Sequence, residues 1–375
     1  MSEQANGARG ADSANAQKQS AWPFRLGDAI WSAGLRAIEM ERLLLTAKEA
    51  PVGLTPKELI WRKNKAQLFR YSRTSPATRR TPVFLCMPLI NRSYIFDLRP
   101  GASFVEFLLA QGHEVFLLDW GMPGDEDKVL DIESYVTQYL HRALRKASQS
   151  VGGVPLTLLG YCIGGALSAT YTALYADEVT PVKNLVLFTT PLDFTDAGRF
   201  GKWTKKEWFP IDKLTDIWPR VPSNIPEVGS KMLTPVPSAF GVYVRLWEKL
   251  SGGQRFDTHA WQSMYRWVND GVPFPGGAYR QWIKDYYQDN KLFTGQLRMA
   301  GKPVLLKNIR LPLLNVVASN DDIAPRTSTE NTLRAVGSTD KDELIVQGGH
   351  VGIVVGRAAS ATLWPKVSNW LAKRD

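Results

Sequence analysis

Hydrophobic residues in this chain fall into short uninterrupted runs, separated by longer stretches in which they recur every three or four positions. Short apolar runs predict buried strands, and they occupy residues 68–71, 82–89, 113–119, 154–159, 183–189, 311–318 and 343–346. Helical spacing is found at residues 104–112, 132–147 and 164–175. Buried strands that alternate with helices predict an α/β fold, with a mostly parallel sheet and helices on both faces.

The beginning of the chain departs from this alternation. Residues 1–22 are rich in Ala, Ser, Gln, Asn and Gly and have no hydrophobic period, which predicts a disordered tail. An amphipathic helix is predicted from Leu26 to Ala47, and Pro51 and Gly53 end it.

The alternation also stops between residues 192 and 295, where aromatic residues and prolines crowd the sequence. We interpret this segment as a helical cap inserted between two parts of the α/β core, residues 23–191 and 296–375. Strand-like runs resume after the segment, which favours an insertion. A plain helical subdomain would need the same aromatic residues for its own core, so composition alone does not separate the two interpretations.

Composition and charge narrow the class of protein. With 375 residues, 44% of them hydrophobic and 22% charged, the chain is large enough for a full core. The net charge of +10 indicates either an ordinary solvated basic surface or attraction to a polyanionic cofactor tail or an acidic partner subunit. The basic residues are scattered and match no nucleic-acid-binding motif, so no nucleic acid is expected as a partner.

Targeting signals and cysteine content predict a cytoplasmic protein. Residues 1–20 contain no apolar segment of a signal peptide, and no apolar run is long enough to predict a membrane span. Cys86 and Cys162 lie in apolar surroundings without the pattern of a disulfide framework, which suits a reducing compartment.

The second cysteine lies in the most informative motif, Gly160-Tyr161-Cys162-Ile163-Gly164-Gly165. A predicted buried strand precedes it and a helix of small residues follows it, which is the context of the nucleophile elbow in an α/β-hydrolase fold. A thiolate is both a strong nucleophile and a good leaving group, so a cysteine at this position favours thioester exchange. The alternative is an inert buried cysteine beside two helix-packing glycines.

A nucleophilic cysteine needs a base, and the chain has four histidines. His350 follows a predicted strand in a glycine-rich loop and precedes the last helix, which is the position of the catalytic histidine in an α/β-hydrolase. His259, in the aromatic-rich segment, is the second candidate, whereas His113 adjoins a strand and His141 lies within a helix.

The carboxylate that orients the base is expected after the preceding strand. Asp321 and Asp322 both follow the run at 311–318, and their spacing to His350 does not choose between them. One of the two is expected to stabilise the turn instead. The order of nucleophile, acid and histidine along the chain matches that of α/β-hydrolases.

Two backbone N–H groups are expected to stabilise the oxyanion that forms on a substrate. One belongs to Ile163, which follows the nucleophile directly. The other belongs to the loop after the strand at 82–89, in which Ile90 is the candidate.

Over roughly residues 30–375 the chain resembles the polyhydroxyalkanoate synthases, whose lipase box contains a cysteine, as the Cys162 motif does. Other segments that resemble family motifs are residues 88–95, 118–121, 280–288 and 348–352. The pattern D-H-x-V-P of the family is similar to residues 321–325, and this resemblance assigns the acid to Asp321. The sequence departs from the pattern where Asp322 replaces histidine and Ala324 replaces valine.

The resemblance implies an acyltransferase, a poly(3-hydroxyalkanoate) polymerase of the two-subunit classes III and IV, to which the chain is similar in length. Such an enzyme polymerises (R)-3-hydroxyacyl-CoA, here expected to be short-chain such as 3-hydroxybutyryl-CoA, and releases CoA. The implied route uses a triad of Cys162, His350 and Asp321 and a thioester acyl-enzyme. CoA thioester is then the substrate, and neither a cofactor nor a metal is expected.

The resemblance also implies partners and a location. The expected partners are the growing polyester chain, a second synthase subunit (PhaE- or PhaR-like) and a second copy in a homodimer, and the expected location is the surface of a cytoplasmic polyester granule. Two alternatives are still open at this point. A cysteine-dependent α/β hydrolase or thioesterase would carry the same residues, and a non-catalytic granule-associated protein would keep the fold without the chemistry.

Overall fold

A computed structural model describes residues 22–73, 76–222, 241–252, 257–356 and 358–375 of the chain. The predicted disordered tail, residues 1–22, lies outside the described residues except for Trp22, at which the first helix begins. Residue contacts divide the chain into two compact units. The larger comprises Pro51–Pro235 and Arg266–Asp375, and the smaller comprises Met1–Ala50 and Val236–Tyr265.

An eight-stranded sheet forms the centre of the larger unit. Its strands are β1 (Lys57–Lys63), β2 (Ala66–Tyr71), β3 (Val83–Cys86), β4 (Val115–Asp119), β5 (Leu156–Tyr161), β6 (Val182–Phe188), β7 (Leu313–Ala318) and β8 (Lys341–Val346). Their order across the sheet is β1-β2-β4-β3-β5-β6-β7-β8. β2 is antiparallel to both of its neighbours, and β3 to β8 are parallel.

This arrangement confirms the mostly parallel sheet that the hydrophobic runs predict. Every residue of β3, β5 and β7 is buried, so alternation of polar and apolar positions is lost in these strands and only the run length remains. β1 was not predicted, because most of its residues are exposed at the edge of the sheet and its sequence mixes charged and apolar positions.

Helices pack against the sheet of the larger unit. The helical segments from Phe104 to Asn269 are Phe104–Ala110, Ile132–Ser134, Tyr135–Leu140, His141–Ser150, Ile163–Leu174, Gly198–Trp203, Ile211–Ile217 and Thr258–Asn269, the last shared with the smaller unit. Those after them are Gly276–Gln281, Trp282–Gln288, Arg326–Thr329, Thr332–Ala335, Gly352–Val355, Ala359–Leu363 and Trp364–Ala372.

The described residues between β6 and β7 are mainly helical, as the aromatic-rich composition predicts. A two-residue strand pair, Arg220–Val221 with Phe274–Pro275, adds an antiparallel contact that the sequence pattern did not indicate. The boundaries 192 and 295 of the predicted cap stay a prediction, and residues 223–240 and 253–256 of it lie outside the described part.

The smaller unit is helical. It contains the helix Trp22–Thr46, close to the predicted Leu26–Ala47, together with the helix Gly241–Ser251. The guanidinium of Arg36 lies 5.9 Å from the ring centroid of Trp247. In neither unit is a described helix both long and apolar enough to cross a membrane.

Candidate active site

Cys162 lies at the sharp turn between β5 and the helix Ile163–Leu174. Its backbone has φ 54° and ψ −123°, a conformation that a residue with a side chain rarely adopts. The turn is held from both sides, because the Cys162 N–H donates to the carbonyl of Phe188 at 2.9 Å and the Cys162 carbonyl accepts from the Gly165 N–H at 2.9 Å. Local strain of this kind is maintained by surrounding structure and is typical of functional positions.

Three glycines allow the strand and helix at this turn to approach closely. A Cβ atom at Gly160 would overlap the backbone of Gly165, and one at Gly164 would overlap the carbonyl of Met87. A Cβ at Gly165 would overlap the side chain of Thr190. Because two of these three obstacles are backbone atoms, the close packing requires glycine.

His350 and Asp321 form a buried pair at the carboxyl ends of β8 and β7. Nδ1 of His350 and Oδ2 of Asp321 are 2.7 Å apart. The other carboxylate oxygen of Asp321 accepts the backbone N–H groups of Ile323 at 2.9 Å and Ala324 at 2.8 Å. Asp322 is exposed to solvent. The geometry therefore pairs Asp321 with His350, as the family resemblance implied.

The imidazole of His350 and the side chain of Cys162 line the same cavity, and a charge on the Cys162 sulfur acts on the imidazole. Burial alone would lower the pKa of His350, but the negative charge of a Cys162 thiolate and the hydrogen bond to Asp321 outweigh it, and together they raise that pKa to about 10. A His350 with this pKa is protonated at neutral pH.

Tyr161, the residue before the cysteine, supports His350 from one side. Its ring centroid lies 5.1 Å from that of the imidazole, and its hydroxyl donates to the backbone carbonyl of His350 at 3.4 Å. Burial, together with the charges of Cys162 and Asp321, raises the pKa of Tyr161 well above its ordinary value, so its hydroxyl keeps its proton. Sequence reasoning assigned Tyr161 no role, although its place next to the nucleophile was a signal.

A cavity of about 280 Å³ adjoins these side chains. Cys162 and His350 line it, and so do both predicted oxyanion residues, Ile163 and Ile90. Six further residues of the wall are aromatic: Phe200, Trp267, Phe274, Tyr279, Trp282 and Tyr287. Neither lysine nor arginine is found among the described residues of its wall, so the cavity suits an uncharged acyl group.

The two predicted oxyanion donors lie on opposite sides of the nucleophile in the chain. Ile163 is the first residue of its helix, where a backbone N–H has no acceptor within the helix. Ile90 belongs to the loop after β3, and its carbonyl accepts the N–H of Val272 at 3.0 Å. Both residues reach the same cavity, which the chain distance between them did not guarantee.

The Ile90 loop is held by the segment that follows the helix Thr258–Asn269. Asn91 and Gly271 form an isolated antiparallel bridge, and Nε1 of Trp267 donates to the carbonyl of Arg92 at 2.9 Å. Arg92 also pairs with Asp270, with 3.0 Å between Nε and Oδ1. These contacts explain why the motif at residues 88–95 carries polar side chains beside the apolar cavity.

The motif at residues 118–121 also forms hydrogen bonds with the segment that contains Ile90. Nε1 of Trp120 donates to the carbonyl of Met87 at 2.7 Å. Asp119 accepts the N–H of Gly121 at 2.7 Å and the hydroxyl of Ser93. Gly121 has φ 74°, and a Cβ there would overlap the backbone of Lys65, so the turn needs glycine.

The motif at residues 280–288 combines an anchoring face and a cavity face. Arg280 pairs with Asp216 at 2.8 Å, and Nε2 of Gln288 donates to the carbonyl of Thr204 at 2.9 Å. Trp282 and Tyr287 face the cavity. The aromatic wall is therefore fastened by polar contacts to neighbouring described segments.

The other histidines have different surroundings. His113 is buried with Nδ1 3.4 Å from the carbonyl of Thr81, and His141 stacks on Tyr175 with 4.8 Å between ring centroids. His259, the second candidate for the base, belongs to the smaller unit. In the described part of the chain, no group of three or more His, Cys, Asp or Glu side chains is arranged to hold a metal ion.

Comparison with known proteins identifies the family to which the chain belongs. Residues 96–356 match the family model of the alpha/beta hydrolase fold, and residues 47–108 match that of the poly-beta-hydroxybutyrate polymerase (PhaC) N-terminus. A soluble variant of monoglyceride lipase from Saccharomyces cerevisiae, at 15% identity, superposes with a TM-score of 0.57 and covers 86% of this chain and 97% of its own. The predicted α/β-hydrolase fold is confirmed.

Relatives of higher identity share one name. A poly(3-hydroxyalkanoate) polymerase subunit PhaC from Haloferax mediterranei is 34% identical over 88% of this chain and 66% of its own length. The PhaC subunit from Allochromatium vinosum is 31% identical over 88% of this chain and 92% of its own length. The chain therefore belongs to the poly(3-hydroxyalkanoate) polymerase family of acyltransferases, as its motifs predicted.

Proposed function

We propose that this enzyme polymerises (R)-3-hydroxyacyl-CoA into polyhydroxyalkanoate and releases CoA, with Cys162 as nucleophile, His350 as acid and base, and Asp321 as the group that orients His350. One observation carries the proposal: the pair of His350 and Asp321, 2.7 Å apart, meets a cysteine in a strained turn beside an apolar cavity. Family membership supports the reaction class.

The first half of the reaction transfers the acyl group to the enzyme. The thiolate of Cys162 attacks the thioester carbon of the substrate, and the N–H groups of Ile163 and Ile90 stabilise the oxyanion. The carbon–sulfur bond to CoA breaks as the intermediate collapses. His350, protonated at rest because its pKa is raised to about 10, gives its proton to the departing sulfur. The products are CoA thiol and a thioester on Cys162.

Acylation then prepares His350 for the opposite role. The thioester carries no charge, so the attraction of the Cys162 thiolate, the largest influence that raises the pKa of His350, is gone, while burial still lowers that pKa. Neutral His350 can now accept a proton. It takes that proton from the 3-hydroxyl of another unit, whose oxygen attacks the thioester carbon, forms an ester and expels the Cys162 thiolate.

The cavity decides between polymerisation and hydrolysis in this scheme. Water that reached the acyl-enzyme would release a free hydroxy acid through the same residues, which is the thioesterase alternative. The aromatic wall excludes water from the thioester, and this favours attack by the hydroxyl of a bound unit. Its volume of about 280 Å³, near the lower end of ~300–1,000 Å³ for small-molecule pockets, favours short acyl groups such as 3-hydroxybutyryl.

Incubation with (R)-3-hydroxybutyryl-CoA tests the proposal. CoA release is followed with a thiol reagent, and the product is analysed for polymer and for free acid. Polymer with CoA release supports the proposal, free acid alone supports a thioesterase, and no release in the presence of any partner supports a non-catalytic granule protein. Cys162→Ala is expected to abolish CoA release, and turnover like that of the wild type in this variant would refute the assignment of the nucleophile.

The partners follow as part of the same proposal. A second synthase subunit (PhaE- or PhaR-like), a second copy of this chain and the surface of a polyester granule are the expected neighbours. The word subunit in the names of the relatives supports the first. Running the assay with and without a co-expressed partner subunit, followed by size-exclusion chromatography, measures whether association changes the rate of CoA release.

A further inference from the structure

A basic cleft adjoins the catalytic cavity. It has a volume of about 500 Å³ and is lined by five cationic side chains, Lys57, Arg62, Lys65, Arg92 and Arg266. Asp119 is the one carboxylate among the described residues of its wall, and it already accepts the Gly121 N–H and the Ser93 hydroxyl. Glu126 and Asp270, which are not part of the wall, pair with Lys65 and Arg92, so the cleft keeps a smaller excess of positive charge.

In two segments of the chain, neighbouring residues line the cavity and the cleft. Ile90 and Asn91 line the cavity, and Arg92 lines the cleft. In the same way Trp267 lines the cavity and its neighbour Arg266 lines the cleft. Consecutive Cα atoms are about 3.8 Å apart, so the linings of the two hollows come within one residue of each other along these segments.

The charge of the substrate requires such a second site. A CoA thioester carries its reactive sulfur at one end of the pantetheine arm and its phosphates at the other. The cavity holds no lysine or arginine among its described wall residues, and burying unpaired phosphate charge in an apolar wall is costly. The phosphates must therefore bind outside the cavity, at a place that the pantetheine arm can reach.

Two cations of the cleft are available for phosphate. Lys57 and Arg62 form no ion pair among the described residues: Nζ of Lys57 lies 3.4 Å from the carbonyl of Gly53, and Nε of Arg62 donates to the carbonyl of Asn64 at 3.2 Å. Lys65 and Arg92, in contrast, are already paired with carboxylates. Phe69 lies in the same wall, and Nζ of Lys57 is 5.4 Å from its ring centroid.

A second polar cleft of the larger unit has a different character. Its cations Arg280, Lys284 and Lys291 are each paired with aspartates, and its wall includes three carboxylates. Lys128 lines it as an exposed cation. This second cleft is therefore a weaker anion site and supplies a matched control residue.

We propose that the basic cleft binds the phosphorylated adenosine diphosphate end of the CoA thioester, with Lys57 and Arg62 as phosphate contacts. This assignment rests on the proposed function, because it takes a CoA thioester as the substrate. It makes the hairpin of β1 and β2 part of substrate recognition. That hairpin lies within residues 47–108, which match the family's N-terminal model.

The test compares the CoA thioester with a pantetheine thioester, which lacks the whole phosphorylated adenosine diphosphate end. For Lys57→Glu/Arg62→Glu, the KM for (R)-3-hydroxybutyryl-CoA is expected to rise about ten-fold or more, because two charge-assisted phosphate contacts are lost. The KM for (R)-3-hydroxybutyryl-pantetheine, which has no phosphate, is expected to change less than about two-fold, and kcat to stay similar. Lys128→Glu, a single charge reversal in the other cleft, is expected to leave the KM for the CoA thioester unchanged.

The assignment would be overturned if Lys57→Glu/Arg62→Glu raised the KM equally for both substrates. It would also be overturned if Lys128→Glu raised the KM for the CoA thioester as much as the double variant does. A direct binding measurement separates it from the proposed reaction. Calorimetric titration of CoA into the Cys162→Ala protein, which does not turn over, is expected to give at least about ten-fold weaker binding when Lys57→Glu/Arg62→Glu is added. If binding falls in this way but the wild type releases no CoA, the cleft stands and the proposed function fails. If turnover occurs but binding is unaffected, the cleft assignment fails alone.

Discussion

Asp321 is shared between His350 and its own turn. One carboxylate oxygen lies 2.7 Å from Nδ1 of His350, and the other accepts the N–H groups of Ile323 and Ala324. The backbone N–H groups fix the position of the carboxylate, and the carboxylate fixes the orientation and the tautomer of the imidazole.

Replacing Asp321 is expected to lower activity much more than replacing its neighbour Asp322. Asp321→Asn should lower kcat for CoA release about 10²- to 10⁴-fold, because the amide misorients the imidazole and stabilises the wrong tautomer. Asp322→Asn removes an exposed carboxylate and should stay within about two-fold of wild type. The measurement is the rate of thiol release at saturating substrate. A larger loss at position 322 would show that the paired aspartate is not the functional one.

The protonation of His350 is expected to depend on the cysteine. Burial lowers the pKa of His350, and the Cys162 charge and Asp321 raise it to about 10, so the wild-type imidazole should stay protonated as pH rises from 6 to about 8. Cys162→Ala removes the main raising influence, and His350 should then lose its proton at lower pH. Nuclear magnetic resonance of nitrogen-labelled histidine can follow this, since the chain has four histidines and His350→Gln identifies the signal. Identical titrations in the two proteins would show that Cys162 does not influence the pKa of His350.

The glycine at position 164 is expected to be essential for stability. Gly164→Ala places a Cβ against the backbone carbonyls of Cys86 and Met87, which cannot move without shifting β3. The free energy of unfolding should fall by about 1–3 kcal/mol. Gly352→Ala is the control, because no atom lies within 4 Å of its added Cβ and its φ is not positive. That variant should keep or slightly raise the midpoint of thermal unfolding, and an equal loss in both variants would argue against the steric explanation.

The cavity wall is expected to limit acyl chain length. Phe200 lines the cavity and packs on Tyr287 with 4.9 Å between ring centroids. Phe200→Ala should raise the ratio of kcat/KM for 3-hydroxyhexanoyl-CoA to that for 3-hydroxybutyryl-CoA by about ten-fold or more, because space opens for two further methylenes. Trp208→Ala, at a 60% exposed aromatic residue, should leave the ratio unchanged. An unchanged ratio in the Phe200 variant would show that Phe200 does not limit the acyl chain length.

The sequence predicted the central strands, the helices and most of the site, for a physical reason. Buried parallel strands must be apolar, and a nucleophile in a tight turn must be flanked by glycines, so both leave a local trace. His350 could be chosen from its position in a loop after a strand. By contrast, Asp321 and Asp322 are adjacent and chemically identical, and only burial and hydrogen bonding distinguish them in the fold.

Other features had no local trace. The exposed edge strand β1 has a mixed pattern that resembles a loop. Trp267 and Trp120 both donate hydrogen bonds to backbone carbonyls of the segment around Ile90, which the sequence pattern did not indicate. Contacts of this kind join residues far apart in the chain, and a single sequence does not record such pairings.

Asn91 and Gly271 form a bridge, and the Val272 N–H donates to the carbonyl of Ile90. These two contacts join the loop that carries Ile90 to another part of the cavity wall. Because these contacts couple residues 267–272 to the Ile90 loop, we expect the two segments to move together if either is displaced. Opening the cavity at this wall would then also displace the predicted oxyanion donor.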